Sequence, residues 1–291
     1  MKLHARRHIV QFPRPPLLMG IVNLGADSFS GDGLPNPAQA VAHAEQLVAD
    51  GAEIIDIGAE SARTNRAAIS ETEEVDRYGA FFEEWEKSTI SGTLLSINTW
   101  RPEVVRQVLA RGGDLLNDIS GLATPDNARL CSEFGAGLVV MHTVGAPKVP
   151  HTHLQHADIM QTLETFFVKA IETAEAEGLS RESLVLDPGL DFAKQAPDNL
   201  RILRELAKLH PFGRPILLPI SRKTVIGDVL GIAEPADRDA GTIACLVQGV
   251  LQGAQIFRVH NVRAASQAIR TILSLETGGQ GSGGSSTPPL S

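Results

Sequence analysis

Short apolar runs recur about every 30 residues along most of this chain, and a polar or glycine-rich stretch and a helical pattern follow nearly every one. The expected strands are Leu17–Val22, Glu53–Ile57, Leu94–Ile97, Leu115–Leu116, Gly137–Met141, Leu184–Leu186, Ile216–Leu218 and Gln255–Val259. The expected helices are Pro37–Asp50, Thr72–Glu86, Pro102–Arg111, Pro125–Glu133, Ile159–Glu177, Asn199–Lys208 and Asp239–Gln252. Gly51, Gly112 and Gly178 stand where a left-handed C-cap needs a residue without a Cβ. Pro37, Pro102 and Pro125 suit a first helical turn, which needs no backbone donor. Strand and helix in strict alternation demand a parallel sheet with crossover helices. About eight strands fits a closed α/β barrel, a single (β/α)8 or TIM barrel, better than an open doubly wound sheet. Periodicity alone does not fix closure, so the open sheet stays as the alternative.

The 291 residues, 43% apolar and 21% charged, supply one sizeable core. A formal charge of -8 without a clustered basic stretch argues against nucleic acid as a partner. An anionic small molecule remains compatible, because a few local Arg and Lys residues suffice to hold one. Cys131 and Cys245 are far apart, lie in apolar stretches and lack metal-type spacing, so both read as reduced core thiols. The opening MKLHARRHIVQFPRPPLL has charges but no uninterrupted apolar stretch, and no segment is long enough to span a membrane. The expectation is a cytoplasmic protein with no membrane partner. Residues 1–16 read as an N-terminal extension, 17–273 as the barrel, and 274–291, ending GGQGSGGSSTPPLS, as a flexible tail.

In a barrel of this kind, chemistry gathers at the C-terminal ends of the strands. Those ends supply Asn23, Glu60 with Arg63, Asn98, Asn117, His142, Asp187, Lys223, and Arg258 with His260. Arg63, Arg258 and His260 are the kind of donor cluster that holds a phosphate or diphosphate. Asn98, Asn117 and Asp187 provide fixed donors and acceptors of the kind that read the edge of a flat heterocycle. There is no G-x-S-x-G, no H-E-x-x-H, no P-loop and no obvious activated nucleophile.

At these residues the sequence resembles the dihydropteroate synthases. MGIVNLGADSFSGDG and GAEIIDIGAESAR are similar to the first two signatures of that family. SINTWRPEVV, NDISG, VVMH, LDPGLDFAK, ISRKTVIG, RDAGT and FRVHNV follow in the family's order, so the resemblance spans about Leu17 to Val262. It implies a barrel that joins a 6-hydroxymethyl-dihydropterin diphosphate to p-aminobenzoate and releases pyrophosphate, with Mg2+ as cofactor. By the same resemblance Asn23 helps place Mg2+ and the diphosphate, and Arg63, Arg258 and His260 complete the diphosphate site. Asn117, Asp187 and Lys223 form the pterin set with Asn98 as a fourth member. Thr64, Phe192, Lys194 and Thr224 belong to the aminobenzoate side. The residues expected to carry the chemistry are Arg63, Lys223, Arg258 and His260. The implied mechanism is dissociative: diphosphate leaves first, and the amine attacks the resulting methylene cation. Small-molecule substrates are thus the expected partners, together with a second copy of the chain as a homodimer.

The chain departs from the family pattern at several places. Asn23-Leu24-Gly25-Ala26-Asp27 replaces Asn-Val-Thr-Pro-Asp. Ala59-Glu60-Ser61-Ala62-Arg63-Thr64 loses a hydroxyl at Ala62 and a proline at Thr64. Asn98 stands where the family has Asp, which obliges its NH2 group to find an acceptor. Asn261 also replaces an Asp, and Leu190-Asp191-Phe192-Ala193 puts an extra acid where Gly-Phe-Gly is usual. These changes cluster on the second-substrate side. They leave open a divergent synthase, a paralogue that offers the same pterin to another acceptor, or a non-catalytic pterin-binding protein. A methyltetrahydrofolate-dependent methyltransferase is disfavoured, since it would have no diphosphate for Arg258 and His260 to hold. His151, His153 and His156 read as a surface loop, and Asp56 as part of a polar layer inside the barrel.

Overall fold

The structure, a computed structural model, describes residues 1–25, 33–62, 66–149 and 154–276. Eight parallel strands form one sheet: β3 (Leu17–Asn23), β4 (Ile54–Gly58), β5 (Leu94–Asn98), β6 (Leu115–Asp118), β7 (Gly137–Met141), β8 (Leu184–Asp187), β9 (Leu217–Leu218) and β10 (Ile256–Val259). Their spatial order is β8-β7-β6-β5-β4-β3-β10-β9. A parallel bridge between Leu186 and Ile216, with Leu186 N–H donating to Pro215 O at 2.9 Å, links the two edges. The open-sheet alternative therefore falls, and the architecture is a single (β/α)8 barrel. β9 is shorter than expected because Ile216 contributes that bridge rather than a full ladder position.

Each strand is buried on both faces, as a helix-covered parallel sheet requires. Side chains alternate with a period of two. Ile55, Ile57, Leu95, Ile97, Leu116, Leu138, Val140, Leu186 and Phe257 point outward and join the core beneath the helices. Met19, Ile54, Leu94, Leu115, Val139, Val185, Leu217 and Ile256 belong to a separate apolar cluster inside the barrel. Two residues further along the strands this inner face turns polar, at Asp56, Ser96, Asn117, Asp187 and Arg258. The alternation that builds the core thus also aims the site inward.

The expected helices appear as α1 (Pro37–Ala49), α2 (Glu71–Trp85), α3 (Pro102–Ala110), α4 (Asp126–Phe134), α5 (Ile159–Ala176), α6 (Ala196–Glu205) and α8 (Asp239–Leu251). Asn36, Ser70 and Asp158 cap α1, α2 and α5 by accepting first-turn N–H groups. Gly51, Gly112 and Gly178 lie at φ 112°, 118° and 81°, the conformation expected of them. α6 starts earlier than expected, because Gln195 and Asp198 form a reciprocal cap, and residues 206–212 tighten into a 3-10 turn containing Pro211. Two further helices complete the ring, α7 (Thr224–Leu230) and α9 (Val262–Glu276).

Residues 1–16 begin with an antiparallel hairpin, β1 (Lys2–Ala5) with β2 (His8–Gln11). Its buried Leu3, Ala5 and Val10, together with Phe12, join the apolar cluster inside the barrel. Arg214 ties the hairpin down, donating to Lys2 O at 2.5 Å and to Glu182 O at 3.0 Å. The hairpin packs at the apolar end of the barrel, away from the polar strand ends.

Candidate active site

The polar strand ends line one cavity of about 550 Å³. Asn23, Asn98, Asn117, Asp187, Lys223, Arg258, His260, Phe192, Lys194 and Thr224 all border it. Arg63, Thr64, Ala26, Asp27, His151 and His153 lie outside the described residues.

At the floor Asp56 is fully buried and collects three elements around one carboxylate. Ser96 Oγ donates to it at 2.6 Å, Arg258 Nε at 2.7 Å, and Asn117 Nδ2 reaches both oxygens at 3.2 Å. The pair with Arg258 balances a charge that burial would otherwise make very costly. Asp56 thus belongs to a polar layer and also fixes two cavity-lining side chains. With the Asn117 amide held this way, its Oδ1 is a buried acceptor without a partner among the described residues. A protein group seldom leaves such an atom unpaired, since the loss amounts to about 1–3 kcal/mol. A Cβ at Gly58 would lie 3.6 Å from Asn23 Oδ1 and 3.9 Å from Asn98 Cβ, ordinary contact distances, so this strand end lies directly between those two side chains. The Asn98 backbone oxygen accepts from Tyr78 Oη at 2.7 Å.

Asp187 closes the floor on the opposite side. Gly189 N–H donates to its Oδ1 at 2.7 Å, yet burial raises its carboxyl to about 6, with Lys223, Lys194 and Arg258 pulling the other way. Lys223 is partly buried, and the desolvation lowers its ammonium. It donates to Leu190 O at 2.9 Å and sits 4.7 Å above the Phe192 ring.

The loop after β8 is built around Lys194. Its ammonium donates to His142 Nδ1 at 2.7 Å, Gly189 O at 2.9 Å, Phe192 O at 3.0 Å and His142 O at 3.2 Å. Burial brings Lys194 down to about 7 and, with the lysine's charge, takes His142 to about 3, so the ring is a neutral acceptor. Gly189 has φ 67°, and a Cβ there would meet His142 O at 1.9 Å. Asp191 and Ala193, at φ 65° and 51°, adopt the left-handed conformation that glycine takes freely. For Ala193 this costs about 1–2 kcal/mol, whereas Asp is among the residues that tolerate it. The Asp191 carboxylate gains bonds in return: it accepts from Thr224 N–H, from Val225 N–H at 3.3 Å and from Asn199 Nδ2 at 3.0 Å.

On the other wall Ser221 Oγ accepts the His260 backbone N–H at 3.2 Å and lies 2.8 Å from His260 Nδ1. Asn261 donates to Asp239 at 3.1 Å, and its Oδ1 accepts from Ala264 N–H at 3.0 Å. An aspartate could not make the first of these bonds beside Asp239. Arg222 holds the same Asp239 through two N–H groups at 2.8 and 3.2 Å.

Glu60, another strand-end residue, works within the β4–α2 loop. It pairs with Arg101 at 2.7 Å and Lys148 at 3.3 Å, and accepts Ile69 N–H at 3.2 Å. Lys148 also donates to Ser61 O at 2.9 Å, so the loop after β7 clasps the loop after β4. His156 is bonded to Ala193 O at 2.9 Å and so touches the Lys194 loop. Cys131 is buried as expected, while Cys245 is only partly buried. The residues sequence reading passed over are Ser96, Ser221 and Lys148, whose polar side chains gain meaning only from partners distant in sequence. For Asp56 a signal existed: it lies two residues before Gly58 on the inward face of β4.

The model of the family described as "Pterin binding enzyme" matches residues 19–260. The dihydropteroate synthase of Escherichia coli strain K12 is 35% identical over 280 residues, covering 94% of this chain and 95% of that protein. The dihydropteroate synthase of Synechocystis is 36% identical over 252 residues, covering 86% of each. Among solved structures, the Yersinia pestis dihydropteroate synthase in a sulfonamide drug complex superposes with a TM-score of 0.88 at 34% identity, covering 96% of this chain and 100% of that one. The Xanthomonas albilineans dihydropteroate synthase in complex with 7,8-dihydropteroate gives a TM-score of 0.80 at 29% identity, covering 94% and 98%. With its matched length, its closed barrel and its polar strand ends in one cavity, the chain belongs to the pterin-binding enzymes and, among them, to the dihydropteroate synthase family.

Proposed function

We propose that this chain condenses 6-hydroxymethyl-7,8-dihydropterin diphosphate with p-aminobenzoate, releasing pyrophosphate, and that the cavity residues divide the work as follows. Asn117 Oδ1 and the Asp187 carboxylate accept N–H groups of the pterin edge, Lys223 covers the ring, and Asn98 borders it. The observation that carries this reading is the buried Asn117 Oδ1, without a partner among the described residues, beside an ionisable carboxylate with no close ion pair among those residues. Arg258, His260 and Arg63 receive the diphosphate charge as the C–O bond breaks. The methylene cation left on the pterin is then attacked by the amine held on the Thr64, Phe192, Lys194 and Thr224 side. This needs no protein nucleophile. It needs leaving-group stabilisation, positioning and exclusion of water.

Asn23 is the protein oxygen that would touch Mg2+, which when bound offsets charge on the diphosphate. Among the described residues no group of three His, Cys, Asp or Glu side chains converges on a metal position. The donor set therefore fits an ion that arrives with the diphosphate and keeps water ligands. No helix among the described residues is long and apolar enough to cross a membrane, and cytoplasmic location is part of the reading. So is a homodimer, supported by the exposed Val229, Leu230 and Leu251 on the α7 and α8 surface.

The test incubates the protein with Mg2+ and the pterin diphosphate, with and without p-aminobenzoate, and follows pyrophosphate and dihydropteroate together. Equimolar formation of both at an enzymatic rate is expected. Pyrophosphate without dihydropteroate would assign the cation to another acceptor, and neither product would overturn the synthase reading.

A further inference from the structure

Asp191 stands where the family pattern has glycine, at φ 65°, in the wall of the cavity. Its carboxylate accepts from the backbone N–H groups of Thr224 and Val225 and from Asn199 Nδ2, so the donors of that wall are turned toward the protein's own acid. Two cations in the wall contributed by the loops after β7 and β8 are committed too. Lys194 is buried against three carbonyl groups and His142, and Lys148 is paired with Glu60 and bonded to Ser61 O. Asp228, one helical turn after Thr224, also lines the cavity. A substrate carboxylate placed here meets like charge and donors already engaged.

We propose that Asp191 is a specificity-determining residue for the second substrate: by engaging the donors of this wall it weakens the hold on the carboxylate of p-aminobenzoate, so the chain discriminates less between that acid and a neutral amine than it would with glycine at this position. This rests on the proposed reading that the amine lies on the Phe192–Thr224 side. It also explains why the chain keeps an acid on a backbone made for glycine. The residue screens the acceptor and leaves the pterin end, built on Asp56, Asn117 and Asp187, untouched.

The experiment compares p-aminobenzoate with p-aminobenzamide, its neutral isostere, at saturating pterin diphosphate, in the parent protein and in Asp191→Asn and Asp191→Gly. The glycine variant suits the backbone, and the asparagine variant keeps an acceptor for Thr224 N–H, so a folding defect common to both is not expected. The ratio of kcat/KM for the acid to that for the amide should rise about tenfold or more in both variants, through KM for the acid. A ratio unchanged in both variants while conjugates still form overturns the proposal alone. KM rising equally for both amines also overturns it, since that marks a structural role for Asp191. No conjugate from either amine in any variant, with pyrophosphate still released, overturns the underlying reading of the second substrate and this proposal with it.

Discussion

Two carboxylates, Asp56 and Asp187, point into the same barrel, and their surroundings separate their roles. Asp56 is neutralised by Arg258 and bonded by Ser96 and Asn117, so it acts as internal scaffolding. Asp187 has one backbone donor and more distant cations, and burial holds its carboxyl at about 6. The folded value lies above the ordinary one of an aspartate, so ionising Asp187 costs the empty fold stability as pH rises toward and through 6. A pterin that donates two N–H groups needs the ionised form. Its affinity should therefore fall as pH drops below about 6, by roughly tenfold per unit. Titrating a dihydropterin against the protein from pH 5 to 8 by fluorescence checks this. Asp187→Asn should abolish the pH dependence and most of the affinity, while raising the thermal midpoint of the empty protein at pH 8. An affinity flat across that range in the parent protein would remove Asp187 from the pterin edge. The sequence exposed Asp187 because it sits at a strand end, where polarity is conspicuous. Asp56 is hidden in an apolar run, and its partners lie 40, 61 and 202 residues away. Only the barrel's register brings them together.

The strands and most helices were legible because each carries a period and a stop signal. Boundaries slipped where those signals conflict. α6 passes into a 3-10 turn before Pro211, and β9 is cut to a two-residue ladder. α7 is short, with a glycine inside, although α9 buries Val262, Ala265 and Ile269 in a readable helical pattern. Loops were the least legible elements, because their order comes from side chains that bond main chain across the cavity mouth. In the β8–α6 loop Lys194 replaces regular hydrogen bonding: its ammonium satisfies carbonyls that no strand or helix pairs. Lys194→Met keeps the length and removes the donors. At pH 6, where the ammonium retains its proton, the loss of its bonds to the His142 and Phe192 carbonyl groups should cost about 1–3 kcal/mol, while Gly189 O keeps the Phe192 N–H. For a chain of this size that is a fall of roughly 2–12 °C in thermal midpoint. Exchange of the Phe192 and Ala193 amides should also accelerate, since the loop loses its internal anchor. A midpoint and exchange rates equal to those of the parent would mean the loop is held by Asp191 and Asn199 alone.

Taken as one body, the barrel has an apolar end and a polar end joined by the same strands. On five of the eight strands the inward residue is apolar near the start and polar two positions on, so stability and chemistry occupy successive layers. The hairpin of residues 2–11 seals the apolar end, a role that composition could not reveal because its four-residue strands alternate buried and exposed positions in the midst of charged residues. Leu3 is fully buried in the inner apolar cluster, with Met19, Ile54 and Val139. Leu3→Ala should leave a cavity there at a cost of about 2–5 kcal/mol. That corresponds to a fall of roughly 4–20 °C in thermal midpoint. Pterin affinity should stay within about twofold, because a close-packed strand layer separates the cavity left by Leu3 from Asp56 and Asn117, and distant sites contribute additively. Scanning calorimetry and a pterin titration on the same variant measure the two quantities side by side. If affinity falls along with the midpoint, the layers are coupled: the hairpin would then set the register of the polar layer, as well as closing the barrel beneath it.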